Sequence, residues 1–229
     1  MSVIEGDASL VVNGCSFVKK AFYDLRGESW YISEGDVLRM GLLPTTQFKW
    51  GKITSVKPKA VGTIVEEGRS LAFVEAKRFV GHVPAKFRVE VSAVNEELRN
   101  SPHLSQTDPY GLGWIVKVKP LEEGYALKLE PFHAVADILL EEVKRKGIVC
   151  FKEVPDMVMA AIGVECSQAL MVLSERIEQV SPGQIIHLVA EGDENSEREV
   201  RTWSTVTGHE LLDFMREGRL AHALIRRRH

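Results

Sequence analysis

The chain has 229 residues, a formal net charge of −3, and 45% hydrophobic and 27% charged residues. That mixture buries a core in one large domain or two small ones, and it gives no general argument for a nucleic acid or a membrane surface as partner. No run of about 18 apolar residues is present, the length a membrane span needs. The start, with Glu5 and Asp7 and no long apolar run, is not a signal peptide. Arg226-Arg227-Arg228 reads as a solvated basic end. Three cysteines, Cys15, Cys150 and Cys166, lack CxxC spacing and cannot all pair, which fits a reducing cytoplasm better than a disulfide framework.

In chain order, Ser9–Val12 reads as a strand before an Asn13-Gly14 turn. From Trp30 the texture is short strands split by glycines: Trp30–Ile32, Val37–Gly41, Lys52–Val56, Val61–Val65, Leu71–Glu75, Phe87–Val91 and Trp114–Val118. Many short strands at close spacing predict a barrel or sandwich. Two short helical pieces interrupt them, near Pro44–Phe48 and at Asn95–Arg99.

Asn95-Glu96-Glu97-Leu98 followed by Asp108-Pro109-Tyr110-Gly111-Leu112-Gly113-Trp114 resembles the H protein of the glycine cleavage system. Glu34-Gly35-Asp36-Val37, Gly41, Val61-Gly62-Thr63 and Val74-Glu75 fall in that family's order, so the resemblance spans roughly residues 28–120. It implies an all-β barrel-sandwich hybrid of lipoyl type that displays lipoyl-lysine on a hairpin tip. The family's modified lysine lies three residues after the glutamate, a position held here by Arg78, with Lys77 one residue short. A guanidinium stays protonated and forms no lipoyl amide, which leaves Lys77 as the candidate attachment point. His82 and Lys86, in the same hairpin region, read as surface or packing residues.

After Pro120 the texture changes. Residues 131–144 have helical periodicity with cations near the end, capped by Gly147. This helix reads as a linker, which gives a first domain at 1–125, a linking helix and connector at 126–150, and a second domain at 151–229. Ile148–Phe151 reads as a buried strand, with Cys150 as packing; Cys15 has no clear role.

The second domain reads strand, helix, strand, helix, strand, strand. Met157–Ile162 is a strand, and from Cys166 the residues Ala169, Leu170, Leu173, Ile177 and Val180 share one helical face, stopped by Pro182-Gly183. Gln184–Ala190 is a strand, Ser196 a possible N-cap of a helix to about Val206, His209–Arg216 a strand, Glu217-Gly218 a turn, and Leu220–Arg226 the strand that closes the sheet. A thiol on a strand-to-helix turn meets free N–H groups and the positive end of the helix dipole, which favour thiolate. The other reading of Cys166 is a small buried hydrophobe.

Gly163-x-x-Cys166, Ser181-Pro182-Gly183-Gln184, Gly208-His209-Glu210-Leu211 and Leu224–Arg227 resemble the TusA/SirA family of sulfur carriers over roughly residues 155–228. That likeness implies a two-layer α/β sandwich of βαβαββ order. It also implies a cysteine persulfide passed on by direct protein contact. The family's Cys-Pro-x-Pro is here Cys166-Ser167-Gln168-Ala169, so the stiffening prolines are missing. The leading expectation is a sulfur carrier using Cys166, with sulfur-donor and sulfur-acceptor proteins as partners and the first domain as lipoyl carrier or docking module. Fusion would raise the local concentration of the two sites. The alternatives are a lipoyl carrier of a glycine-cleavage-type system, served by lipoate ligase and lipoyl-dependent enzymes, and a non-catalytic scaffold. No Ser/His/Asp triad, metal spacing or phosphate loop is present, so the chain reads as a carrier rather than a stand-alone enzyme, with lipoate the one cofactor implied and no metal.

Overall fold

A computed structural model describes residues 3–5 and 8–229; Met1, Ser2, Gly6 and Asp7, at the start of the first expected domain, lie outside the described residues. The chain forms two compact units, Val3–Cys150 and Phe151–His229.

The first unit is built from thirteen strands. They are β1 (Val3–Glu5), β2 (Ser9–Val12), β3 (Cys15–Val18), β4 (Phe22–Asp24), β5 (Ser29–Glu34), β6 (Val37–Leu42), β7 (Ile53–Pro58), β8 (Ile64–Val65), β9 (Ser70–Ala76), β10 (Phe79–Pro84), β11 (Val89–Val94), β12 (Val116–Pro120) and β13 (Glu130–Pro131). Helices α1 (Thr46–Trp50), α2 (Leu104–Thr107) and α3 (Phe132–Lys146) join them. A seven-stranded sheet runs β13-β4-β5-β6-β12-β11-β8, and two three-stranded sheets run β10-β9-β7 and β1-β2-β3.

One core cluster lies between the seven-stranded sheet and the β10-β9-β7 sheet. Tyr31, Met40, Val89, Val91, Val116 and Val118 meet Ile53, Val56, Leu71, Val74 and Val83 there. Alternating side chains on β5 point the other way, so Trp30 and Ile32 enter a second cluster with Phe17, Tyr23, Val135, Leu139 and Val143. Both faces of β5 are therefore buried. Gly41 is required beside Trp30, since a Cβ there would sit 2.6 Å from the indole.

Residues 126–150, expected as a linking helix and connector, are built into this unit. The stripe Val135, Leu139 and Val143 of α3 is buried at the expected helical spacing. Lys49 bridges Glu28 at 2.7 Å and Glu142 of α3 at 3.0 Å, and Lys146 reaches Glu142 at 2.6 Å. Gly147 ends the helix in the left-handed region, φ 58°, as expected. Ile148–Cys150 is buried but is not a strand: its main chain makes a single cross-link, Cys150 N–H to the Asn13 carbonyl at 3.0 Å, instead of a ladder. Cys15 and Cys150 form a disulfide across a sequence separation of 135, which corrects the reading of Cys150 as packing and of Cys15 as a residue without a role. It also removes the cysteine-usage argument for a reducing compartment.

The second unit comprises β14 (Met157–Glu165), α4 (Cys166–Ile177), β15 (Ile185–Glu191), α5 (Ser196–Thr207), β16 (Glu210–Glu217) and β17 (Leu220–Arg226). The element order is βαβαββ, as expected, and the sheet order is β14-β15-β17-β16, with β14 parallel to β15 and the other pairs antiparallel. The last strand thus enters the middle of the sheet instead of closing it at an edge. Leu170, Leu173 and Ile177 of α4, Val200 of α5, and Ile186, Leu188, Ala223 and Ile225 of the sheet form the core. Ser196 is the first residue of α5, and its hydroxyl accepts from the Asp193 N–H at 2.9 Å. It closes the preceding loop and is not the N-cap, a position held by Asn195.

Candidate functional site

The expected attachment hairpin is present. Strands β9 and β10 pair antiparallel with Phe79 opposite Ala76, which leaves Lys77 and Arg78 as the two-residue tip, both exposed. The tip is seated on the end of α1. The Arg78 N–H donates to the Trp50 carbonyl at 2.8 Å, the Lys77 N–H donates to the Lys52 carbonyl at 3.1 Å, and the Arg78 guanidinium donates to the Phe48 carbonyl. Carbonyls at a helix C-terminus have no partner within the helix, so Arg78 supplies a cap for α1. Gly51 makes the approach possible: its φ of 68° needs glycine, and a Cβ there would lie 3.4 Å from Lys77 Cβ. Gln106 fixes the same loop, accepting from Ile53 N–H and donating to the Gly51 carbonyl, both at 2.9 Å. Trp50 and Phe79 stack at 4.0 Å between ring centroids. Glu75 holds Lys57 at 2.9 Å, and His82 Nδ1 lies 3.0 Å from Ser70 Oγ. Lys86 pairs with buried Asp24 at 3.0 Å.

The long glycine-rich motif near residue 110 is architectural. Asp108 Oδ2 accepts from Leu112 N–H at 2.7 Å, while Asn95 Nδ2 donates to the Leu112 and Trp114 carbonyls, each at 2.7 Å. Arg39 Nη1 donates to the Tyr110 carbonyl at 2.7 Å. A Cβ on Gly113 would lie 2.0 Å from the Leu104 carbonyl oxygen, so only glycine lets the chain pass α2.

Cys166 is the first residue of α4, as expected, but it is only 4% exposed. The Gly163 φ of 83° and a register break between Ala161 and Glu165 turn the strand into the helix. A pocket of about 280 Å³ beside it is lined by Glu165, Glu191, Asp193, Ser196, Glu199 and Arg219. Burial, followed by the charge of Glu199, pushes the thiol up to about 11; the Ser196 hydroxyl pulls the other way and Asp193 adds to the rise. That displacement corresponds to about 3 kcal/mol against the thiolate, whereas a helix N-terminus contributes about 0.3–1 kcal/mol toward it. Burial and the acidic neighbours therefore oppose the ionisation that the helix start favours. Among the described residues no group of His, Cys, Asp and Glu is arranged to hold a metal ion, and no helix is long and apolar enough to cross a membrane.

The N-terminal unit is thus a β-sandwich with two buried clusters, and its β10-β9-β7 sheet presents the basic Lys77-Arg78 tip. A family profile described as "Glycine cleavage H-protein" matches residues 22–142, and the chain belongs to that family. Glycine cleavage system H protein 5 of Aquifex aeolicus is 35% identical over 145 residues, covering 61% of this chain and 97% of that protein. The probable glycine cleavage system H protein 2 of Saccharolobus solfataricus is 33% identical over 144 residues, covering 62% and 97% respectively. The crystal structure of a glycine cleavage system H protein from Mycobacterium marinum overlays with a TM-score of 0.47 at 23% identity, covering 58% of this chain and all of that one.

Proposed function

We propose that the chain is a carrier protein of the H-protein type, with lipoate joined to Lys77. The observation that carries this reading is the placement of Lys77 at the exposed tip of the β9–β10 hairpin. The residues fit the group at one position only. Lys77 offers a primary amine for an amide, whereas Arg78, at the family's usual register, offers none. When bound, lipoate supplies a dithiolane on a long arm that ferries a group between enzymes. The chain's own residues hold the base of that arm still: the Arg78 cap on α1, the Gly51 approach and the Trp50–Phe79 stack fix the tip. The partners on this reading are a lipoate ligase and lipoyl-dependent enzymes of a glycine-cleavage-type system.

The test is intact and peptide mass after expression of the full chain with lipoate and a lipoate ligase. A lipoyl increment on the Lys77 peptide, lost in Lys77→Arg, is expected. An unmodified wild-type chain, under conditions where Arg78→Lys becomes modified at residue 78, refutes the assignment and leaves a docking module.

The sulfur-carrier reading of Cys166, with its donor and acceptor proteins, is not the one we adopt. A buried thiol pushed up to about 11 and faced by Glu199 and Asp193 is a poor nucleophile for persulfide transfer. We read the C-terminal unit, whose βαβαββ order agrees with the TusA/SirA likeness, as a binding module attached to the carrier.

A further inference from the structure

The two edges of the C-terminal sheet are built differently. At one edge, β16 carries Glu210, Asp213, Arg216 and Glu217 and breaks register between Leu211 and Asp213. Charges and bulges of this kind keep an edge from pairing with another chain. The opposite edge, β14, runs Met157-Val158-Met159-Ala160-Ala161-Ile162-Gly163-Val164 with no charged residue and no proline before its last residue, Glu165, which lies beyond the Gly163 turn. Met159, Ala161 and Val164 pack toward the helices. The alternate row is apolar as well and faces solvent: Val158 is 48% and Ile162 67% exposed, and Ala160 is exposed between them. A strand with an open main-chain edge and apolar side chains at its exposed positions lacks the usual protection against pairing.

We propose that β14 is a pairing edge for a second copy of this chain, two β14 strands running antiparallel about a twofold axis at Ala160. The strand's own order selects this occupant. With Ala160 opposite Ala160, Val158 lies opposite Ile162 on the exposed face, a pair of β-branched residues of the kind that stabilises cross-strand contacts. On the helix-facing side Met159 lies opposite Ala161, large against small. No charge meets a charge. The Gly163 turn and its register break end the match after Ile162, so five residues pair on each strand. At about 3.3 Å per residue this is a seam of about 17 Å, smaller than a standard interface of about 1,600 Å² requires. The dimer is therefore weak, concentration-dependent and closed by its symmetry, and it joins two four-stranded sheets into one.

Sedimentation velocity on the full chain over about two decades of concentration tests this. The wild type is expected to shift from monomer to dimer. Ala160→Lys sets two ammonium groups against each other on the axis and weakens the dimer about tenfold or more, with circular dichroism and thermal unfolding unchanged. An equimolar mixture of Ala160→Lys and Ala160→Glu chains restores association. Should Ala160→Lys fail to fold, the double variant Val158→Lys/Ile162→Lys, which opposes like charges in this register, mixed with Val158→Glu/Ile162→Glu makes the same comparison. A wild type that stays monomeric throughout, a dimer indifferent to these substitutions, or charge pairs that restore nothing each overturns the proposal.

Discussion

The disulfide between Cys15 and Cys150 gives the most demanding quantitative test of the first unit. It closes a sequence separation of 135, from the first residue of β3 to the segment after α3. The entropy of closing such a loop in the unfolded chain corresponds to about 5 kcal/mol, and measured native and engineered bonds usually deliver about 2–4 kcal/mol. A unit of roughly 150 residues unfolds with an entropy of about 0.3 kcal/mol/K. Removing the bond is therefore expected to lower that unit's Tm by about 6–13 °C, with about 16 °C as the ceiling. The perturbation is Cys15→Ala with Cys150→Ala, compared with the wild type before and after full reduction. Trp30, Trp50 and Trp114 lie in this unit and Trp203 in the other, so fluorescence with Trp203→Phe isolates the relevant transition, and calorimetry shows both. An unchanged first-unit transition in protein shown to be reduced by thiol titration would refute the reasoning. So would a shift confined to the second unit's calorimetric transition, since that would place the constraint in the wrong unit.

Three other outcomes follow from the same structure. Cys166, the free cysteine among the described residues, has a thiol pushed up to about 11; at pH 7 its thiolate fraction is about one in ten thousand against a few per cent for an ordinary thiol. Alkylation is expected to run about two orders of magnitude slower than for a free thiol and to rise about tenfold per pH unit up to pH 10, and Glu199→Gln should quicken it; fast labelling at pH 7 would show that the thiol is neither buried nor faced by acids. His187 Nε2 and His222 Nδ1 lie 3.0 Å apart inside the C-terminal sheet, with Phe151 against His187 and Glu217 3.7 Å from His222. Burial lowers His187 to about 3, His222 adding to the effect, and burial lowers His222 to about 4. The unfolded chain therefore binds protons below pH about 6.5 that the folded pair refuses, so stability is full above that pH and falls as pH drops toward 4, by up to about 2.7 kcal/mol per pH unit for two groups. His222→Gln should roughly halve that slope in acid-unfolding curves of the second unit, and an unaltered slope would dismiss the pair as its source. Leu139 is fully buried on α3, and Leu139→Ala is expected to cost the first unit about 2–5 kcal/mol; a neutral effect would return α3 to the role of a linker.

Much of the architecture was legible because it is local. Short strand-like runs such as Leu71–Glu75 became β9, and the apolar face from Ala169 to Ile177 became the buried stripe of α4. The misreadings share a cause: each depends on a neighbour distant in sequence. Helix α3 has the pattern of any amphipathic helix, and partners more than a hundred residues away in the chain, such as Trp30 and Phe17, make it core. Cys15 and Cys150 are 135 residues apart, and nothing in their spacing brings them together. Ile148–Cys150 is as apolar as a buried strand, but its N–H groups go to the Val143 carbonyl at the end of α3 and to the Asn13 carbonyl instead of to a partner strand. At Cys166 the helix start was visible in the sequence, whereas the acids that oppose ionisation come from Asp193 and Glu199, a loop and a helix away.

The family signature and the family chemistry occupy different parts of this chain, and the structure explains why they can diverge. Asn95 and Asp108 spend their side chains on the main chain of Leu112 and Trp114, the Tyr110 carbonyl takes the Arg39 guanidinium, and Gly111 and Gly113 leave room for the Asp108 carboxylate and the Leu104 carbonyl. A side chain at Gly113 would collide with the Leu104 carbonyl, and the loss of Asn95 or Asp108 would leave loop main chain without its partner, whatever the domain carries. The tip answers to different constraints, because two exposed residues on a turn can exchange identities without disturbing a core. Arginine at 78 has exploited that freedom: it caps α1 through its guanidinium and main-chain N–H, a contact a lipoylated lysine could not make with its side chain. The amine that remains is displaced by one residue along the turn. On the proposed reading, carrier activity depends on whether a ligase tolerates that displacement. Lys77→Arg and Arg78→Lys measure this directly, while substitutions in the glycine-rich motif would report only on folding.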